Sequence, residues 1–182
     1  AEKENRKGVQ SNIGHVGIEK EVYKNTKERE LVLKRKIDPI KKDFDYIIID
    51  SPPALGPITI NTLSASSSVL IPIQCEFFAL EGLAQLLNTI KLVKQTINQS
   101  LQIRGFLPTM YSSQNNLSKQ VFADLAQHFE SKLFKVDDDS YVVIPRNVKL
   151  AESPSFGKPI MLYDMNSSGT KAYTNLARAI AG

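Results

Sequence analysis

Asp50 and Ser51 stand at the end of an apolar run, Tyr46-Ile47-Ile48-Ile49, and directly before Pro52-Pro53. Consecutive isoleucines with aromatic neighbours favour a strand, because β-branched and aromatic side chains fit a pleated surface. The run does not alternate with polar residues, which predicts a strand covered on both faces, as in a parallel α/β sheet. Open α/β sheets bind ligands at the carboxyl ends of their strands. A lone carboxylate there is suited to coordinating Mg²⁺, directly or through water, beside nucleotide phosphates. The competing reading is a turn cap, with the prolines simply ending the strand. Asp50 by itself does not choose between them.

Other chemistries lack their parts. Gln74 and Glu76, Thr109 and Tyr111, and Arg146 and Asn147 fall at further predicted strand ends, but no Gly-x-Ser-x-Gly elbow accompanies them. The only histidines are His15, in a predicted turn, and His128, on a predicted helix, and no zinc-ligand spacing occurs. Asp137 to Ser140 lacks the alternating ligands and distal glutamate of an EF-hand and reads as a solvated turn. Cys75, the single cysteine, lies among apolar residues and reads as a buried reduced thiol. It excludes an internal disulfide and favours a cytoplasmic setting.

The elements that position these residues follow from periodicity. Ile58 to Ser66 is a predicted helix starting close to Pro57, since proline is favoured in a first helical turn. Ser68 to Ile73 is a buried strand. Leu80 to Ile97 is a helix whose apolar side is Leu80, Leu83, Leu87, Ile90 and Val93. Ile103 to Thr109 is a third strand. Asn115 or Asn116 caps a helix with the face Leu117, Val121, Leu125 and Phe129. Tyr141 to Ile144 is a fourth strand, Val148 to Pro159 a loop, and Ser167 or Ser168 caps a last helix. Ahead of these, Ala1 to Gln10 is read as disordered and Ser11 to Gly14 as a turn. Ile18 to Ile37 is read as one or two amphipathic helices with ion pairs such as Glu30 with Lys34, stopped near Pro39. Strands alternating with helices define a parallel, doubly wound α/β sheet.

The chain has 182 residues, 42% of them hydrophobic and 23% charged, enough for one α/β domain, assigned to residues 11–182. No apolar run approaches a membrane span. The formal charge of +4 arises in residues 1–43, where twelve Lys or Arg face eight Asp or Glu; the remainder is balanced. That excess could meet nucleic acid or acidic lipid, or lie on a solvated helix face.

Several blocks carry a family resemblance. FDYIIIDSPPALG at Phe44 to Gly56, INTLSA at Ile60 to Ala65 and VLIPIQCEFFALEGLAQLL at Val69 to Leu87 resemble, in order, segments of the ParA/Soj chromosome- and plasmid-partitioning ATPases. TMYSSQNNLSKQV at Thr109 to Val121 and IPRNVKLAESPSFGKPIMLY at Ile144 to Tyr163 continue the match, and Ser11 to Lys20 resembles the segment after the family's third strand. The resemblance implies a sheet of the P-loop NTPase type, in the SIMIBI class with a deviant Walker A loop. It implies that Asp50 is the Walker B aspartate, serving Mg²⁺ and the attacking water. Ser51, Pro52, Pro53 and Gly56 would form the loop that responds to the γ-phosphate. Met110, Pro145, Arg146 and Asn147 resemble residues that hold the adenine of ATP, although a strand-end turn accounts for them equally.

It further implies a homodimer formed with ATP, nonspecific DNA binding through Lys119, Arg146, Lys149 and Lys158, and a ParB/Spo0J-like centromere-binding partner. Each lysine alone also fits a solvated surface charge, and Gln114 replaces a common family arginine. Nucleoid association is implied; membrane targeting of the MinD type is not, because Thr170 to Ala181 is not a strongly basic amphipathic helix.

The departures matter as much. The sequence holds no Gly-Lys-Thr or Gly-Lys-Ser, and Gly157-Lys158 is followed by Pro159. Ala1 to Gly8 does not resemble the family. The chain therefore reads as N-terminally incomplete, without the phosphate loop and the strand that carries it between Tyr46–Ile49 and Val69–Ile73. Such a polypeptide is expected not to hydrolyse ATP alone. The alternative is a non-catalytic DNA-binding or interaction module that retains the back half of the fold.

Overall fold

A computed structural model describes residues 29–51 and 56–182. The readings for Ala1 to Gln10, Ser11 to Gly14, His15, the part of Ile18 to Ile37 before Arg29, and Pro52 and Pro53 fall outside them. The chain divides into two compact units, Ala1–Ser66 with Val93–Gln99, and Ser67–Leu92 with Ser100–Gly182.

In the first unit, a single turn at Arg29–Leu31 leads into helix α1, Val32–Ile37, and a 3₁₀ segment follows over Asp38–Asp43. The α-helix stops near Pro39 as expected, and Pro39 falls in the first turn of the 3₁₀ segment, where its missing N–H costs no bond. Glu30 pairs with Arg29 and Lys34 with Asp38, in place of the expected Glu30–Lys34 pair. Helix α2, Pro57–Ala65, begins at its proline as read. Its buried Asn61 donates to the carbonyls of Arg29 and Pro57 at 2.9 and 3.0 Å. The Asn61 Oδ1 accepts the Leu33 N–H at 3.2 Å. One side chain thus closes the open first turn of α1, whose own N-cap residue, Leu31, offers no side-chain bond. Asn98 ties the other end of α2 by donating to the carbonyls of Leu63 and Ser66 at 2.9 and 2.8 Å.

The expected strand at Tyr46 to Ile49 does not form. The segment is irregular, and Ile48 is 92% exposed and Tyr46 63%. A strand exists only with a neighbour to take its N–H and C=O groups. The sheet among the described residues has two strands, and this run is in neither.

Those strands are β1, Ser68–Gln74, and β2, Gln102–Thr109, parallel and joined through helix α3, Ala79–Thr96. The pairing slips once between Val69 and Leu70, so Arg104 has no partner and forms a bulge. The bulge lets the Arg104 guanidinium reach the carbonyl of Ile180 at 2.7 Å. At Gly105, next to it, an added Cβ would lie 2.7 Å from the Lys132 carbonyl and the Phe134 ring. Pro72 is tolerated because alternate residues of β1 face β2: the Cys75 N–H continues that ladder to Thr109, and Pro72 points the other way. Buried Leu83, Ile90 and Val93 confirm the apolar side of α3.

Helix α4, Asn116–Phe129, is capped by Asn115, whose side chain accepts from the N–H groups of Leu117 and Ser118. Its buried side is Ser118, Val121 and Leu125, while Leu117 is exposed, contrary to the expected face. Ser118 displaces Leu117 there because its hydroxyl accepts the Ser112 N–H at 3.0 Å. The expected fourth strand is only partly realised. Tyr141 bridges Lys135 in antiparallel fashion, whereas Pro145 bridges Tyr111 in parallel, so the segment changes partners before a ladder can propagate. Val142 and Ile144 are nevertheless buried with Leu107, Phe134 and Leu176 as the core of this unit.

Val148 to Pro159 is more ordered than a loop. It contains helix α5, Val148–Glu152, and a 3₁₀ turn, Ser153–Phe156, closed by Gly157 in the left-handed region at φ 61°. Helix α6, Ile160–Tyr163, and helix α7, Ser168–Ala181, complete the chain, with Ser167 capping α7 through Thr170.

Candidate functional site

The carboxyl ends of β1 and β2 are drawn together with the segment at Pro145. The Tyr111 N–H donates to the Ile144 carbonyl at 3.1 Å, and the Tyr111 carbonyl accepts the Arg146 N–H at 2.9 Å. Both backbone polar groups of Tyr111 are therefore spent on holding Pro145 opposite it. Met110 sits at φ 54°, the one non-glycine residue in the left-handed region among those described. This conformation costs about 1–2 kcal/mol for an L-residue, and such strain gathers at ligand clamps. The Arg146 guanidinium donates to Glu76 Oε1 at 2.7 Å and so ties this segment to the residue just past β1.

Asn147 is placed beside Arg146, but its side chain is occupied. Its Oδ1 accepts the Lys149 N–H at 2.7 Å as the cap of α5, and its Nδ2 donates to Ser168 Oγ at 2.7 Å. Of the residues singled out for a base, Met110, Pro145 and Arg146 share one edge, with Asn147 bracing it. The available atoms are the ring of Pro145 and the exposed side chain of Met110.

Lys149 donates to Glu152 at 3.3 Å and lies 5.7 Å from the centre of the Tyr163 ring. Tyr163 donates its hydroxyl to the same carboxylate at 3.0 Å. These bonds, from Tyr163 first and Lys149 second, hold the Glu152 carboxyl below the usual range. Glu152 in turn raises Lys149. Lys119 on α4 and Lys158 beyond Gly157 are exposed and carry no ion pair among the described residues. Sequence reasoning found the cations but not the Glu76 partner of Arg146, because no pattern links residues 70 apart. The Lys149–Glu152 pair had a visible signal in its helical i,i+3 spacing.

Asp50 belongs to the first unit and is exposed. Ser51 Oγ accepts the Thr62 hydroxyl at 3.2 Å, which ties the end of the apolar run to α2. Gly56 has extended backbone, and a Cβ there would meet nothing within 4 Å, so neither conformation nor space demands glycine. Among the described residues no group of three or more His, Cys, Asp or Glu is arranged to hold a metal. One carboxylate can serve Mg²⁺ only with phosphate oxygens as fellow ligands. No glycine run offers amides to cradle those phosphates, since no two of the nine glycines are adjacent. The described residues do not by themselves make a site for Mg²⁺ and ATP.

Comparison with known proteins places this arrangement. Residues 1–103 match a family model described as an AAA domain. The chain is 48% identical over 178 residues to the sporulation initiation inhibitor protein Soj of Bacillus subtilis, covering 98% of this chain and 68% of that protein. It is 47% identical over 156 residues to the chromosome partitioning protein ParA of Myxococcus xanthus, covering 86% of this chain and 53% of that one. A solved cobyrinic acid a,c-diamide synthase of Mycobacterium smegmatis with bound ADP and magnesium superposes with TM-score 0.71 at 34% identity, over 94% of this chain and 60% of that one. The fold is the α/β architecture of P-loop NTPases. The chain belongs to the Soj/ParA family of chromosome-partitioning proteins. It spans between about half and two thirds of the length of these relatives. No described helix is long and apolar enough to cross a membrane.

Proposed function

We propose that this chain is the C-terminal portion of a ParA/Soj-type ATPase that couples Mg²⁺-ATP binding and hydrolysis to nonspecific DNA binding and to chromosome or plasmid segregation. The observation that carries the reading is the 48% identity to Soj over 98% of the chain. In this reading Asp50 is the Walker B aspartate, and Ser51, Pro52, Pro53 and Gly56 form the switch loop. Met110, Pro145 and Arg146 border the adenine, with Asn147 fixing their turn. Lys119, Arg146, Lys149 and Lys158 meet DNA phosphates. The protein works as an ATP-dependent homodimer on the nucleoid with a ParB/Spo0J-like partner.

The 182 residues alone do not turn over ATP, because they supply the aspartate and the base edge without a phosphate cradle. That same observation favours a second reading, a DNA-binding or interaction module with no ATPase cycle. Isothermal titration with MgATP, run on the chain alone and on the chain joined to the part of Soj it does not span, separates the two. Saturable heat in the joined protein supports the ATPase. Silence in both, with DNA binding retained, supports the module.

A further inference from the structure

Two of the cations assigned to DNA, Arg146 and Lys149, are already held by carboxylates of the same chain. Arg146 contacts Glu76 Oε1 at 2.7 Å, and Lys149 contacts Glu152 Oε2 at 3.3 Å. Both pairs are about half exposed, with side-chain exposures of 57% and 52% for Arg146 and Glu76 and 49% and 40% for Lys149 and Glu152. A phosphate could therefore reach each cation, but only by displacing an acid. A guanidinium that pairs with a carboxylate presents the same donors that it would present to a phosphate. Glu152 is itself positioned by the Tyr163 hydroxyl at 3.0 Å, so it does not simply swing away. Lys119 and Lys158 have no such competitor among the described residues.

We propose that Glu76 and Glu152 occupy the phosphate-binding groups of Arg146 and Lys149 and hold down the affinity of this protein for nucleic acid. The inference rests on the assignment of Arg146 and Lys149 to DNA. Because exposed ion pairs are weak, the competition is modest: removing one acid raises affinity by about two- to fivefold. A rearrangement that parts Arg146 from Glu76 would raise it by the same route.

The test is a double-variant cycle. Binding to a labelled random-sequence duplex in the presence of MgATP is measured for the chain joined to the part of Soj that it does not span, as wild type, Glu76→Gln, Arg146→Ala and the double variant, at two salt concentrations. The expected result is tighter binding by Glu76→Gln that disappears when Arg146 is also removed, with a shallower salt dependence for Arg146→Ala. A gain of equal size in the Arg146→Ala background is a general charge effect and overturns the inference alone. So does weaker binding by Arg146→Ala with no gain from Glu76→Gln. Binding indifferent to Arg146 in every background, or absent in all four proteins, overturns the DNA assignment and the inference with it. Glu152→Gln with Lys149→Ala repeats the cycle on the second pair with the same criteria.

Discussion

Asn61 Oδ1 accepts the backbone N–H of Leu33 at 3.2 Å, so that a side chain on α2 caps a helix 28 residues earlier in the chain. The same amide donates to Arg29 and Pro57. Asn61→Ala removes these bonds and leaves part-buried backbone groups unsatisfied. It should cost about 2 kcal/mol, measured by urea denaturation of the chain. An unchanged midpoint would show that α1 does not depend on this cap.

Two glycines should respond with opposite sign. Gly105→Ala drives a methyl into the Lys132 carbonyl and the Phe134 ring at 2.7 Å, and overpacking of this kind costs about 1–3 kcal/mol. Gly82, on α3, has open space around a Cβ, and Gly82→Ala should add up to about 1 kcal/mol through helix propensity. Thermal unfolding of the two variants against wild type checks both signs.

Ile48 tests why the apolar run stays unpaired. With the residue 92% exposed, Ile48→Asp should change the stability of the chain by no more than about 0.5 kcal/mol. In the protein joined to the part of Soj that it does not span, the run is proposed to become a buried strand. There the same change should cost at least about 2 kcal/mol, as for a buried unpaired charge. Equal effects in both proteins would mean that the run has no strand role.

Burial pushes the Cys75 thiol up, against smaller opposing effects of the Ser118 hydroxyl and the Thr109 backbone. The folded state therefore holds this proton more tightly than the unfolded one. The stability it contributes is complete below the ordinary thiol value and is lost as pH rises above that value through the folded one. At pH 8 the native thiol should resist an aromatic disulfide reagent that labels the urea-unfolded chain at once. Equal rates would place Cys75 at the surface.

What could be read from the sequence was what local chemistry decides. Local signals narrow the caps to Asn115 or Asn116 and to Ser167 or Ser168, of which Asn115 and Ser167 cap, Pro57 opens α2, and the apolar spacing of α3 marks its buried side, because caps and periodicity are written within one or two turns. The Tyr46 to Ile49 run shows the limit. Its composition states which environment it suits, a two-sided sheet, but strand formation needs a partner that composition cannot supply. Tyr141 to Ile144 fails similarly, since its two ends find different partners. At the candidate site, Met110, Pro145 and Arg146 were singled out by family resemblance. The bond from Arg146 to Glu76 depends on how strand ends converge and left no local trace.

The most direct test of the proposed function is phosphate release from MgATP by the chain joined behind the part of Bacillus subtilis Soj that it does not span, beside the 182 residues alone. Under the proposed function, Mg²⁺-dependent turnover appears in the joined protein and falls by about a hundredfold or more on Asp50→Ala, as expected for loss of a metal and water ligand, and none appears in the 182 residues alone. Turnover indifferent to Asp50→Ala, or turnover by the 182 residues alone that Asp50→Ala abolishes, would contradict it.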